Sequence, residues 1–154
     1  MKTLEIENLA ALEQWVGKEL PKGAWFIVSQ EMINDFAKAT MDFQWIHVDI
    51  EKANQFSPFK KPVAHGFLSL SLLSKMLGEL IIVKSVKMGV NYGLNKVRFP
   101  SPVLVDSKVR LHGGIKEIEP YGDNGVKVTW NCLVAIDGTE KPACVAEFVS
   151  LMFE

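Results

Sequence analysis

A chain of 154 residues, 48% hydrophobic and 23% charged, has the size and balance of one globular domain and can bury a core without disulfides or a structural metal. Seventeen basic residues against eighteen acidic ones leave a formal charge of −1 and no basic stripe, which excludes nucleic acid as a partner class. The two cysteines, Cys132 and Cys144, read as buried reduced thiols, and no CxxC, HxxxH or HExxH spacing occurs, so no metal and no other cofactor is expected. The N-terminal stretch is charged and lacks the apolar centre of a secretory signal. Residues 67–83, the most apolar run, carry three serines, Lys75 and Glu79, and fall short of the roughly 20 residues that span a bilayer. A soluble, cytoplasmic protein with one domain over residues 1–154 is expected.

In chain order, residues 4–20 have a helical pattern with Leu9, Leu12, Trp15 and Val16 on one side, ended by Pro21-Lys22-Gly23. Residues 24–28 fit a short strand. Ser29 is a good N-cap, with Glu31 in the first turn and Ile33, Phe36, Ala37 and Thr40 at helical spacing behind it. Residues 41–48 have no period and read as a loop. Asp49 caps a second short helix reaching about Gln55, and residues 56–65, with Pro58 and Pro62, are irregular.

Residues 66–81 predict the longest helix. Ser69, Leu72, Leu73, Met76, Leu77 and Leu80 crowd one side, and the opposing polar side is thin, so an enclosed helix is expected. Strand-like segments follow at 86–99, 103–118, 126–136 and 143–153, with Gly122-Asp123-Asn124-Gly125 and Asp137-Gly138 as hairpin turns. Helices first and meandering strands last define an α+β protein whose antiparallel sheet needs a helix across its concave face.

Two histidines have distinctive surroundings. In Asp42-Phe43-Gln44-Trp45-Ile46-His47-Val48-Asp49 a loop carboxylate precedes an imidazole, and either a catalytic pair or a turn former beside a structural histidine fits. In Ala64-His65-Gly66-Phe67-Leu68 a glycine opens the long helix. Its free N–H and the positive end of the dipole suit a polarised carbonyl, while a tight turn is the plainer account.

Taken together, Phe36 to Asp49, Ala64 to Ser74 and Arg98-Phe99-Pro100-Ser101-Pro102-Val103 resemble the MaoC-like hydratases, which include the (R)-specific enoyl-CoA hydratases. The likeness runs from about Ser29 to Val105, and Gln44-Trp45, where many members carry Asn-Pro, resembles the nodulation-protein-N-like branch. The resemblance implies a hot-dog fold, an antiparallel sheet wrapped around a long central helix, and a homodimer. It also implies a lyase that hydrates 2-enoyl thioesters or dehydrates 3-hydroxyacyl thioesters carried by coenzyme A or acyl carrier protein. By the same resemblance Asp42 and His47 hold and activate the water, the Gly66 N–H polarises the thioester carbonyl, and Ser74 supports the site. His65 would orient the turn before Gly66 through its ring hydrogen bonds or line the substrate pocket with Gly66 and Ser74. Trp45 either reshapes the acyl pocket or packs over the loop. Two alternatives are a thioesterase, for which Glu79 is the only helix carboxylate and lies over three turns from Gly66, and an acyl-binding module that has lost its chemistry.

Overall fold

The computed structural model describes residues 3–154. A five-stranded antiparallel sheet is built from β2 (Phe26–Ile27), β4 (Met88–Arg98), β5 (Lys108–Tyr121), β6 (Gly125–Ile136) and β7 (Cys144–Phe153), in the order β2-β5-β6-β7-β4. A small parallel pair joins β1 (Leu4–Ile6) to β3 (Ile81–Val83). Alternation along β6 turns Val128, Trp130, Cys132 and Val134 inward and leaves Asn131 and Leu133 outside, the period of a sheet with one covered face. That face meets Leu73, Met76, Leu77 and Leu80 in one apolar cluster, and Trp130 satisfies its indole N–H on Ser150 Oγ at 2.8 Å inside it. Both cysteines are buried and free, and burial pushes the Cys132 thiol up to about 12.

The strands do not form a simple meander. β5, β6 and β7 are consecutive hairpins, with Gly138 at φ 73° in the Asp137-Gly138 turn, but β4 crosses to the far edge and pairs with β7. β5 also starts later than the expected residue 103. Asp106 takes φ 65°, and the chain before it pairs elsewhere: the Ala64 N–H donates to Val103 O (2.8 Å) and the Val105 N–H to Pro62 O (2.9 Å).

Three further expectations are corrected. The segment expected as one helix over residues 4–20 is β1, a single turn α1 (Leu9–Leu12) capped by Asn8, and a 3-10 turn, because its first residues pair in parallel with β3, a partner far along the chain. The central helix is two pieces, α5 (Gly66–Ser71) and α6 (Leu73–Leu80), with Leu72 still right-handed (φ −68°, ψ −14°) and linked by hydrogen bonds on both sides; Ile81 belongs to β3. It is not enclosed: Phe67, Ser71, Ser74, Lys75, Gly78 and Glu79 form an exposed face. Finally, the expected loop 41–48 contains α3 (Trp45–Val48). The caps at Ser29 and Asp49 are present, opening α2 (Gln30–Thr40) and α4 (Ile50–Phe56). No helix among the described residues is long and apolar enough to cross a membrane.

Candidate active site

Met41 ends α2 by taking a left-handed conformation (φ 62°), and the chain turns there into Asp42. The Asp42 carboxylate accepts the Gln44 N–H at 3.3 Å, an Asx-type turn that launches α3. That single turn directs His47 inward, where 7% of it stays exposed, while the Asp42 side chain is 52% exposed. Trp45, half-buried at the start of α3, lies under the Lys52 ammonium, 5.0 Å from the ring centre.

A backbone carbonyl can only accept, and this assigns the tautomer of each imidazole. His47 Nδ1 lies 2.6 Å from Val63 O, so Nδ1 carries the hydrogen and Nε2 keeps its lone pair when the ring is neutral. His65 Nε2 lies 3.0 Å from Asp42 O and therefore donates, which makes Nδ1 the acceptor; Nδ1 is buried with no hydrogen-bond partner among the described residues. The two rings stack with centroids 3.8 Å apart and planes at 23°, and Phe36 backs His65 at 4.9 Å.

Burial holds His47 below the ordinary imidazole value of 6.5. The Val63 carbonyl pulls the other way, nearby His65 lowers it further, and Asp42 raises it.

The framework around His47 is built from backbone bonds. The Val63 N–H donates to Ile46 O at 3.0 Å, and the strap 62–64 is itself held by residues 103–105. Gln30 Nε2 donates to His47 O at 2.8 Å from the first position of α2. Gln30 and Val63 were not singled out in the sequence, since a side chain reaching a backbone carbonyl leaves no periodic signal.

One donor atom from each of Asp42, His47 and His65 falls within 4.8 Å of the other two. His65 Nε2 is committed as a donor to Asp42 O, so only its Nδ1 could ligate a metal ion without breaking that bond. The set fits a proton-handling pair better than an ion.

Gly66 follows His65 directly and opens α5, so its N–H has no acceptor within the helix. A Cβ built on Gly66 would lie 2.9 Å from Cδ2 of Phe99, so the ring rests on the glycine. Ser74 is elsewhere: it lies two turns further, on the exposed side of α6, 3.4 Å from Asn91 Oδ1. There it borders a cleft of about 230 Å³ between α6 and the sheet, lined also by Leu77, Gly78, Val90 and Trp130. Asp42, His47, His65 and Gly66 thus gather at one place, and no hydrogen bond ties Ser74 to them among the described residues. Ser71 back-bonds to Phe67 O at 2.7 Å, and Glu79 is paired with Lys75 on the exposed face. Neither bears on the cluster, and the thioesterase alternative loses its only helix carboxylate.

A sheet curved over a helix, with an imidazole and a carboxylate converging at the helix start, defines the hot-dog class to which thioester hydratases belong. The chain belongs to the MaoC-like family: residues 12–134 match the family described as "MaoC like domain". It is 44% identical over 143 residues to 3-hydroxyacyl-thioester dehydratase Z of Mycobacterium tuberculosis, covering 93% of this chain and 94% of that one. It is 40% identical over 146 residues to Nodulation protein N of Rhizobium leguminosarum bv. viciae, covering 94% and 91%. Among solved structures, the R-hydratase PhaJ1 of Pseudomonas aeruginosa superposes with a TM-score of 0.71 at 21% identity, covering 96% of this chain and 87% of that one, a likeness of fold.

Proposed function

We propose that this chain interconverts 2-enoyl and 3-hydroxyacyl thioesters by adding or removing water, with Asp42 and His47 as the catalytic pair. The observation that carries the reading is the His47 tautomer: Nδ1–H is bound to Val63 O, which leaves the Nε2 lone pair free in a ring that clusters with the Asp42 carboxylate. In the hydration direction, a water between these groups gives up a proton as its oxygen bonds to C3 of the enoyl chain. The C2–C3 π electrons move to the thioester oxygen, where the Gly66 N–H receives the enolate, and the proton is then returned to C2. Atoms and electrons balance without a redox partner, so no cofactor is invoked. The names of the relatives support the reaction class; the roles of Asp42, His47 and Gly66 rest on the geometry, with His65 as the positioning residue that ties Asp42 to the helix start.

The cleft beside Ser74 is assigned to the acyl chain, and the carrier is coenzyme A or acyl carrier protein. The unit is a homodimer. β4 is the sheet's outer edge, and it exposes Met88, Val90, Tyr92 and Leu94 along with one side of its hydrogen-bonding groups, a template for a second copy. The test is the absorbance of the enoyl-thioester band when crotonyl-CoA and longer 2-enoyl-CoAs are given to the purified protein. Loss of the band at a rate proportional to protein is expected. An unchanged band with every chain length overturns the reading.

A further inference from the structure

We propose that Phe99 is a specificity-determining residue that selects thioesters unbranched at C2, by presenting its ring where a substituent on that carbon would lie. The inference rests on the hydratase reading above and goes beyond it by naming the substrate class the site accepts.

The geometry begins at Gly66. A Cβ there would be 2.9 Å from Phe99 Cδ2 and 3.1 Å from both Cε2 and Cγ, so the ring lies flat on the side of the helix start where every other residue type would carry a side chain. The ring is held from three directions. Arg98, the residue before it, makes the last pair of β4, with Val145 of β7. Pro100, the residue after it, confines Phe99 to extended backbone. Phe67 meets it edge to face, with centroids 6.0 Å apart and planes at 88°. Both rings nevertheless remain open to solvent, Phe99 at 40% and Phe67 at 68%. The two exposed rings form a small apolar patch beside Gly66.

With the thioester oxygen on the Gly66 N–H, ordinary bond lengths put C2 of the substrate within about 6 Å of the Gly66 Cα. The Phe99 ring occupies the same shell. A hydrogen at C2 fits against the ring face, whereas a methyl group there competes for the ring's own volume. One methyl group against an apolar wall changes relative turnover by about 10- to 200-fold.

The experiment compares kcat/KM for crotonyl-CoA and 2-methylcrotonyl-CoA in the parent, Phe99→Ala and Phe99→Leu. In parallel, calorimetry measures binding of the saturated butyryl-CoA and 2-methylbutyryl-CoA, which needs no turnover. The parent is expected to favour the unbranched member of each pair, and both variants to shift the ratio toward the branched member by about tenfold or more. Phe99→Leu keeps apolar contact with Phe67, so it serves if Phe99→Ala does not fold. Gly66→Ala is expected to lose turnover and to recover part of it when combined with Phe99→Ala, because the added methyl then meets space. Ratios that stay within about twofold of the parent in the folded variants, while crotonyl-CoA is hydrated, overturn the role of Phe99 and leave the hydratase reading standing. A parent that neither binds nor hydrates any of these thioesters overturns the hydratase reading itself, and this inference with it.

Discussion

His47 and His65 lie ring on ring, 3.8 Å between centroids, and each gives one N–H to a backbone carbonyl, Val63 O and Asp42 O respectively. Burial, with the stacked His65 ring adding to it, holds His47 toward its neutral form. This keeps the His47 Nε2 lone pair free, and the His65 N–H ties the backbone of Asp42 to the residue that starts the helix. The groups proposed for water activation and carbonyl binding thereby share one hydrogen-bonded unit.

The neutral state of His47 has a pH signature. Its folded value is depressed below 6.5, chiefly by burial, so the acid limb of kcat/KM for enoyl hydration is expected below pH 6.5. Stability follows the same sign. As pH falls through 6.5 the unfolded chain takes up the proton first, so the neutral buried ring contributes stability above that value and loses it toward the lower folded value. Thermal unfolding across pH 5–7.5 and a pH–rate profile check both. An acid limb at or above 6.5 contradicts the expected base.

Asp42→Asn and His47→Ala should each lower kcat by on the order of a hundredfold or more. The double variant should be little worse than either alone, since residues acting on one water are not additive. Their stabilities should differ. Asp42 is half-exposed, and its change should stay within about 0.5 kcal/mol. His47→Ala leaves Val63 O without its donor and should cost about 1–3 kcal/mol. Steady-state kinetics with denaturant unfolding separates the two effects; full turnover in either single variant removes the mechanism.

Gly66→Val is expected to abolish turnover, for a reason the sequence did not contain: the new side chain collides with Phe99 before it reaches any substrate. Ser74→Ala removes one 3.4 Å hydrogen bond on an exposed face and should have the milder effect on kcat. Circular dichroism must confirm folding before rates are compared. A folded Gly66→Val protein working at the parent rate would return Gly66 to a simple turn residue.

Light scattering at micromolar concentration should give a mass near 34 kDa, about twice the 17.2 kDa chain. Val90→Lys with Leu94→Lys, both on the exposed edge strand, should shift it toward one chain by placing charge where copies would meet. A parent protein of 17 kDa would refute the dimer.

The sheet, the apolar side of the helix, the two caps and the crowding of Asp42, His47 and Gly66 were legible because each leaves a local mark: a period, a capping residue, or a motif of fixed spacing. What was not legible is non-local. The break at Leu72, the pairing of Leu4–Ile6 with Ile81–Val83, and the strap of residues 62–64 on 103–105 depend on partners far along the chain. Gln30 and Val63 reach His47 through a backbone carbonyl, and such contacts constrain no residue type in a pattern. Phe99 belongs to a segment visible in the sequence, yet its seat on Gly66 appears only once β4 is known to cross the sheet.

That crossing has a consequence for how the protein is made. β4 is synthesised long before β7, and β7 is its only strand partner among the described residues, so the ring over Gly66 acquires its anchor when the last strand docks. Helices and the β5–β6 hairpin form from neighbours, but β4 waits, apolar and unpaired, through the interval in which a nascent chain is most prone to pair with the wrong strand. Anchoring of Phe99 over Gly66 and completion of the sheet are therefore the same late event, and a chain interrupted before β7 has neither.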